Sequence, residues 1–187
     1  MEKQQKERLE TLLLSTNSIK SYEDELLSIL PELIICKDCQ QNLPAHRLTV
    51  LEHIYEVVDE VKGDIVLKLA ALLHDIGKPY TKVTQNGVDS FKNHEKASEV
   101  LADLILQRLG FDVTIRQDVI LLVKYHDVEL TPTKESLDNV TEKIGAKLVL
   151  PLLELQIADL LAHSEEKVKQ LISVRKDTLK YYIDNFI

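Results

Sequence analysis

One stretch constrains the fold more than any other: DIVLKLAALLHDI, residues 64–76. Its apolar side chains cover nearly the whole circumference of a helix. Such a helix is stable only when other elements surround it, so further helices are expected to wrap around 64–76. The stretch ends in two ionisable residues, His74 and Asp75, with Gly77 and Pro79 just beyond. A glycine past a helix end favours a left-handed C-cap, and a following proline stops continuation. Gly77 is therefore expected in the left-handed conformation. The His-Asp pair then stands in the last turn of a core helix, where ionisable groups do not sit without partners.

The remaining chain supplies the wrapping. Residues 2–15 read as a charged helix. Ser18 or Ser21 caps a second that runs toward Pro31. The segment 37–45 is polar and irregular. Residues 46–61 place Val50, Ile54, Val57, Val58 and Val61 on one face, with His53 beside it. Helix 94–109 is expected to turn Val100, Leu101, Leu104, Ile105 and Leu109 inward. Helix 112–126 uses Val119, Ile120, Leu122 and Val123, and carries His126 to its end. A short helix in ESLDNVTEKIGA, a helix over 149–163 and a last one over about 164–185 complete the series. Asn86-Gly87 between Val83 and Val88 is a hairpin signal, so β structure is expected only near 81–91. With 5 Gly and 5 Pro in 187 residues, and no repeat or long linker, the reading is one all-α domain, a helical bundle, over 1–187. Its core covers about 30–163, with flanking helices at both ends.

The formal net charge is −8, from 23 Lys plus Arg against 31 Asp plus Glu. That balance argues against an extended nucleic-acid footprint, which needs clustered cations. It leaves room for a small nucleotide or phosphate-ended substrate held by a local lysine or a metal. No apolar run reaches membrane-span length. The start, MEKQQKERLE, lacks the apolar core of a signal peptide, so no membrane contact and a cytoplasmic location are expected. Cys36 and Cys39 form a lone C-x-x-C. Without a second pair the plain reading is two reduced thiols near a helix end, rather than a zinc ribbon or a redox motif. The oligomeric state is left open.

His53, His74, Asp75 and Asp159 are all of metal-ligand type, and each lies on or beside the inward side of its helix. Divalent ions of the Mn, Fe, Co, Ni or Zn type accept imidazole and carboxylate together. Neighbours on a helix point about 100° apart, so His74 and Asp75 reach one ion only at a helix end. His53 and Asp159 come from other helices, which makes this a bundle-core site.

These residues resemble the H…HD…D signature of the HD superfamily of metal-dependent phosphohydrolases. HRLTVLEH (46–53), LAALLHDIGKPYT (69–81), FKNHEKAS (91–98) and YHD (125–127) occur in order. The run is similar to the HD domain within CCA-adding tRNA nucleotidyltransferases and poly(A) polymerase-like proteins, and LPELIICKDCQQN (30–42) resembles the lead-in to its first His. The nucleotide-polymerising head of those enzymes, with its Gly-Ser motif and paired carboxylates, has no counterpart here. A stand-alone HD domain is expected, and polymerase activity is not carried over.

The resemblance implies that His53, His74, Asp75 and Asp159 hold a divalent ion (Mn, Fe, Ni, Co, Zn or Mg), with Asp75 between the ion and the attacking water. His94 and His126 either hold a second ion or only line the site. Lys78 either meets a substrate phosphate or is a solvated lysine favoured by the helix dipole. His46 and His163 are substrate-contact candidates beside their plainer reading as surface histidines, and Thr81 and Asn93 are weak candidates for polar lining. The expected reaction is hydrolysis of a phosphomonoester or phosphodiester on a nucleotide or nucleic-acid end. Nucleoside monophosphates and 2′,3′-cyclic phosphates are what the resemblance suggests. The alternative is a catalytically weak module that binds nucleotide or RNA as a sensor or partner.

Overall fold

The computed structural model describes residues 2–15, 18–42, 48–163 and 165–187, apart from the side chains of Glu2 and of residues 165–167. In chain order the helices are α1 (Glu2–Ser15), α2 (Glu23–Ile29), α3 (Ile34–Lys37), α4 (Val50–Glu60), α5 (Ile65–Leu73) and α6 (Lys78–Thr81). After the strands β1 (Val83–Gln85) and β2 (Val88–Ser90) come α7 (His94–Arg108), α8 (Val113–Tyr125), α9 (Lys134–Ile144), α10 (Ala146–Leu161) and α11 (Glu165–Phe186). Among the described residues β structure is confined to that hairpin and one isolated bridge, Gln40 with Thr49. The fold is the expected all-α bundle.

Helix α5 is central, as its all-round apolarity demands. Helices α1, α4, α8 and α10 pack on it, and Leu69 to Leu73 have no solvent exposure. Its start is fixed by Asp64, whose carboxylate accepts from the backbone N–H of Val66 and Leu67. Its one charged residue, Lys68, is buried, and its Nζ donates to the carbonyl of Val58 at 2.6 Å. The ammonium thus satisfies a carbonyl near the C-terminus of α4.

Helix α4 begins at Val50, later than position 46. Thr49 accepts from the Glu52 N–H while the Glu52 carboxylate accepts from the Thr49 N–H, a reciprocal cap that stops the helix growing backward. The expected second helix is split: a 3-10 turn at Ile19–Tyr22 leads into α2. Helix α10 starts at Ala146 rather than 149 and contains Pro151. In the hairpin Val83 pairs with Ser90 and Gln85 with Val88. Asn86 (φ 52°) and Gly87 (φ 77°) both take the positive φ that a two-residue turn of this hand requires.

Two expectations are overturned. Gly77 is right-handed, with φ −80°. The chain does not stop there but continues as α6, with Pro79 in its first turn, where a proline's missing N–H has no helical partner to lose. Glycine is needed at 77 for closeness instead. A Cβ there would lie 2.5 Å from the His94 carbonyl oxygen and from the Ser98 nitrogen, and the Gly77 N–H donates to Ser98 Oγ at 2.9 Å. The second correction concerns α7. It buries His94, Ser98, Ala102, Ile105 and Leu106, while Val100 and Leu104 are exposed. The small residues Ser98 and Ala102 let α7 come close, so the helix is turned by roughly a quarter from the face its largest apolar residues suggest.

Candidate metal centre

These helices and the turns after them bring six ligand-type side chains together, the carboxylate of Asp75 among the other five. His53 comes from the middle of α4, His74 and Asp75 from the turn after α5, His94 from the first residue of α7, His126 from the turn after α8, and Asp159 from the last turns of α10. Asp75 stands between two groups. Its Oδ2 lies 3.4 Å from His53 Nε2 and 3.3 Å from His74 Nε2. Its Oδ1 lies 3.2 Å from His94 Nε2 and 3.7 Å from His126 Nε2. Asp159 Oδ1 closes the first group, 2.8 Å from His53 Nε2 and 3.7 Å from His74 Nε2. His53, His74 and Asp75 have 1% exposure or less.

The imidazoles are oriented for metal. His74, His94 and His126 each set Nδ1 against the carbonyl three residues back, Ala71, Phe91 and Val123, at 2.7–2.9 Å. A carbonyl only accepts, so each Nδ1 carries the proton and, in the neutral ring, Nε2 presents a lone pair to the cluster. His94 Nε2 and His126 Nε2 are 3.2 Å apart. His74 Nε2 and Asp75 Oδ1 are buried with no hydrogen bond of good geometry. Lone pairs converging on buried carboxylates are stable only with a cation or extra protons between them. Donor atoms about 2.1 Å from a shared ion lie about 3.0–3.4 Å apart at octahedral to tetrahedral angles, and most of the separations above fall close to that span. Two groups thus fit an ion: His53, His74, Asp75 and Asp159, and Asp75, His94 and His126.

The electrostatics agree. Burial opposes charge on Asp75, but Lys78 and His74 outweigh it and hold the carboxyl well below its usual range. Burial is likewise outweighed at Asp159 by His53 and His74. Burial opposes the charge of His74, yet Asp75 and Asp159 raise its pKa to about 10. His94 is raised by Asp75 against burial, whereas burial lowers His53 and His126. In metal-free protein a proton on His74 therefore compensates the carboxylates, and a divalent ion held there would take its place.

Lys78 is not the solvated lysine of the plainer reading. It is 7% exposed. Its Nζ lies 2.6 Å from Asp75 Oδ2 and donates to Gln41 Oε1 at 3.0 Å, and against burial Asp75 and Asp159 raise its pKa. The turn into α6 is what folds it back. A cleft of about 510 Å³ opens over this floor, bordered by Asp75, Lys78, Lys92, Asn93, Asp127 and His163 among others.

His163 lies beside Asp159, one turn further along the chain. Its Nδ1 donates to the Asp159 carbonyl at 2.7 Å, and its ring meets that of His53 edge-on at 5.0 Å between centroids. Asn93 borders the cleft in a left-handed conformation, φ 62°. Thr81 bonds back to the carbonyls of Gly77 and Lys78. His46 lies outside the described residues. Cys36 and Cys39 are free and buried, and burial pushes the Cys36 thiol above its ordinary value, the opposite of a thiolate ligand. Three contributors escaped the sequence reading: Gln41 behind Lys78, Gln156 beneath the His126 turn, and Asp127 at the cleft mouth. An acid following a ligand histidine was the available signal for Asp127. The two glutamines carry none.

Comparison with known families matches residues 45–164 to the HD domain. The chain belongs to the HD domain family, whose members are generally metal-dependent phosphohydrolases. It is also 32% identical over 121 residues to the A-adding tRNA nucleotidyltransferase of Deinococcus radiodurans. That match covers 61% of this chain and 28% of the relative, so the chain spans well under half of that protein's length. No helix among the described residues is long and apolar enough to cross a membrane.

Proposed function

We propose that this protein is a metal-dependent phosphohydrolase that acts on the phosphate of a nucleotide or of a nucleic-acid end. The observation that carries the reading is Asp75: one buried carboxylate whose two oxygens face two separate donor groups at the floor of a cleft. His53, His74, Asp75 and Asp159 are the residues to hold an ion, with His94 and His126 as the set for a second. A divalent ion held there supplies Lewis-acid polarisation of a phosphoryl oxygen and a bound water of lowered pKa.

The protein's own groups do the rest. The Nδ1–H bonds to backbone carbonyls hold the imidazoles in orientation. Asp75 sits at the junction and accepts charge from both sides. Lys78 keeps a full positive charge beside it, where a phosphate oxygen entering the cleft meets a point charge rather than bulk water. Lys92 adds a second cation to the cleft lining. The cleft volume suits a ligand of about nucleotide size. The net acidity of the chain, and the likeness of this part of it to a protein named for adding A to tRNA, favour a terminal phosphate over a long nucleic-acid track. Gly77 is where the HD turn meets α7, which carries His94 into the set.

The test is phosphate release by protein stripped with chelator and reloaded in turn with Mn, Ni, Co, Zn or Mg. The substrates are nucleoside monophosphates, 2′,3′-cyclic phosphates and phosphate-ended oligonucleotides. Metal-dependent turnover lost in Asp75→Ala supports the reading. Tight nucleotide or RNA binding without turnover under every metal overturns it in favour of a binding module.

A further inference from the structure

Asp127 lies in the turn after α8, directly following His126. Its side chain is 55% exposed, the one exposed carboxylate against this cluster among the described residues. It is nonetheless turned toward the second donor group. Asp127 Oδ2 is 3.3 Å from His94 Nε2 and Oδ1 is 3.7 Å from His126 Nε2. These values nearly repeat those of Asp75 Oδ1, 3.2 and 3.7 Å to the same two nitrogens. The imidazole nitrogens are 3.2 Å apart, so both carboxylates meet the same histidine pair. Four donors about 2.1 Å from one tetrahedral ion are separated by about 3.4 Å. Asp75, His94 and His126 each offer one donor within 4.8 Å of the others, and the Asp127 carboxylate, with a different oxygen on each imidazole, stands at the edge of that set.

A second observation explains why the turn is held there. Gln156, on α10 and 3% exposed, donates from one Nε2 to two carbonyls, those of His126 and Val128, both at 2.8 Å. These carbonyls bracket Asp127. The Gln156 Oε1 has no hydrogen-bond partner, so the side chain accepts a buried cost in order to make this clamp. Gln156 also stands one turn before Asp159 on the same helix, so α10 supports both donor groups.

We propose that Asp127 is the fourth ligand side chain of a second metal position, completing Asp75, His94 and His126, and that Gln156 is the positioning residue that fixes it. The inference rests on the metal-centre reading above and extends it to residues outside the H…HD…D pattern. With two imidazoles, one shared carboxylate and one half-exposed carboxylate, the position suits borderline divalent ions. Its ligand on the solvent side makes this ion the more exchangeable of the two.

The test is calorimetric titration of chelator-stripped full chain with Mn and with Co, alongside Asp127→Ala, Asp127→Asn and Gln156→Met. Wild-type protein is expected to bind two ions per chain. Asp127→Ala should keep the tighter ion and weaken the second beyond the roughly 10- to 100-fold that losing a supporting partner costs. Asp127→Asn, which keeps the shape, should do nearly the same. Gln156→Met, which keeps the volume but donates nothing, should weaken the second ion by about 10- to 100-fold. Retention of the first ion shows in each case that the variant is folded. A wild-type stoichiometry of one, or unchanged second-ion affinity in both Asp127 variants, overturns the proposal. Either result leaves the hydrolase reading standing on the first group alone. Loss of both ions together in Gln156→Met overturns its assignment as a positioning residue for the second. Failure of turnover with two ions bound would instead count against the hydrolase reading and leave Asp127 in place.

Discussion

Gly77→Ala is the substitution whose cost the geometry defines most closely. The added Cβ would meet the His94 carbonyl oxygen and the Ser98 nitrogen at 2.5 Å, and the Ala97 Cβ at 2.8 Å. Ordinary contact begins at 3.4 Å, so two backbone atoms must retreat by roughly 0.9 Å. Helix α7 cannot yield like a flexible side chain; it must shift as a unit. Overpacking of this kind costs about 1–3 kcal/mol, and weakening the Gly77 N–H bond to Ser98 Oγ adds about 1 kcal/mol. For a chain of this size about 3 kcal/mol lowers Tm by about 6–12 °C. The shift moves His94 away from Asp75, so the second ion should be weakened more than the first. Gly87→Ala is the control. It has φ +77° and nothing within 4 Å, so it should cost only about 1–2 kcal/mol of backbone strain and leave metal binding alone. Thermal unfolding with and without metal measures both effects. A Gly77→Ala protein melting within about 2 °C of wild type would refute the close-approach argument.

Two further outcomes follow from single contacts and a third from the size of the proposed substrate. Lys78→Ala removes one partner of a buried ion pair, so chelator-stripped protein should lose about 3–5 kcal/mol; metal-loaded protein should lose less, because the ion then compensates Asp75, and thermal melts in the two states check this. The Asp89 carboxylate is held down to about 2 by Thr84 Oγ1, the Asn42 N–H and Lys82, so its contribution to stability is complete above its usual value of 3.8 and is lost as pH falls through about 2. Acid unfolding of Asp89→Asn should accordingly depend less on pH in that window than wild type does. If the substrate is a small or terminal phosphate, affinity should fall only weakly with salt; a steep slope on long RNA would point to an extended basic track instead.

Much of this arrangement is legible in the residues themselves. The apolar run 64–76 marks the central helix, and polar residues at its end need partners, which is why His74 and Asp75 stand out. Asn86-Gly87 announces the hairpin because few other pairs tolerate two positive φ angles. What stays hidden depends on contacts between distant segments. Gly77 looks like a C-cap because the local pattern of glycine then proline fits one, yet its lack of a side chain serves the approach of α7. Val100 and Leu104 look inward because they are the larger apolar residues, yet the close packing at Gly77 selects the face with Ser98 and Ala102. Lys78 reads equally as a phosphate contact or a solvated lysine because it follows a helix, and only the turn into α6 and the distant Gln41 bury it. Asp127 stands in the YHD run without a role of its own until His94, 33 positions earlier in the numbering, is folded against it.

Metal counting per chain asks whether Asp75 serves both donor groups. Wild type, His53→Ala, His94→Ala and Asp75→Ala would each be stripped, reloaded with Mn and freed of excess. The account predicts two ions in wild type, loss of the first group's ion in His53→Ala, loss of the second's in His94→Ala, and none retained in Asp75→Ala. An Asp75→Ala protein that is folded and still holds its ions would contradict it.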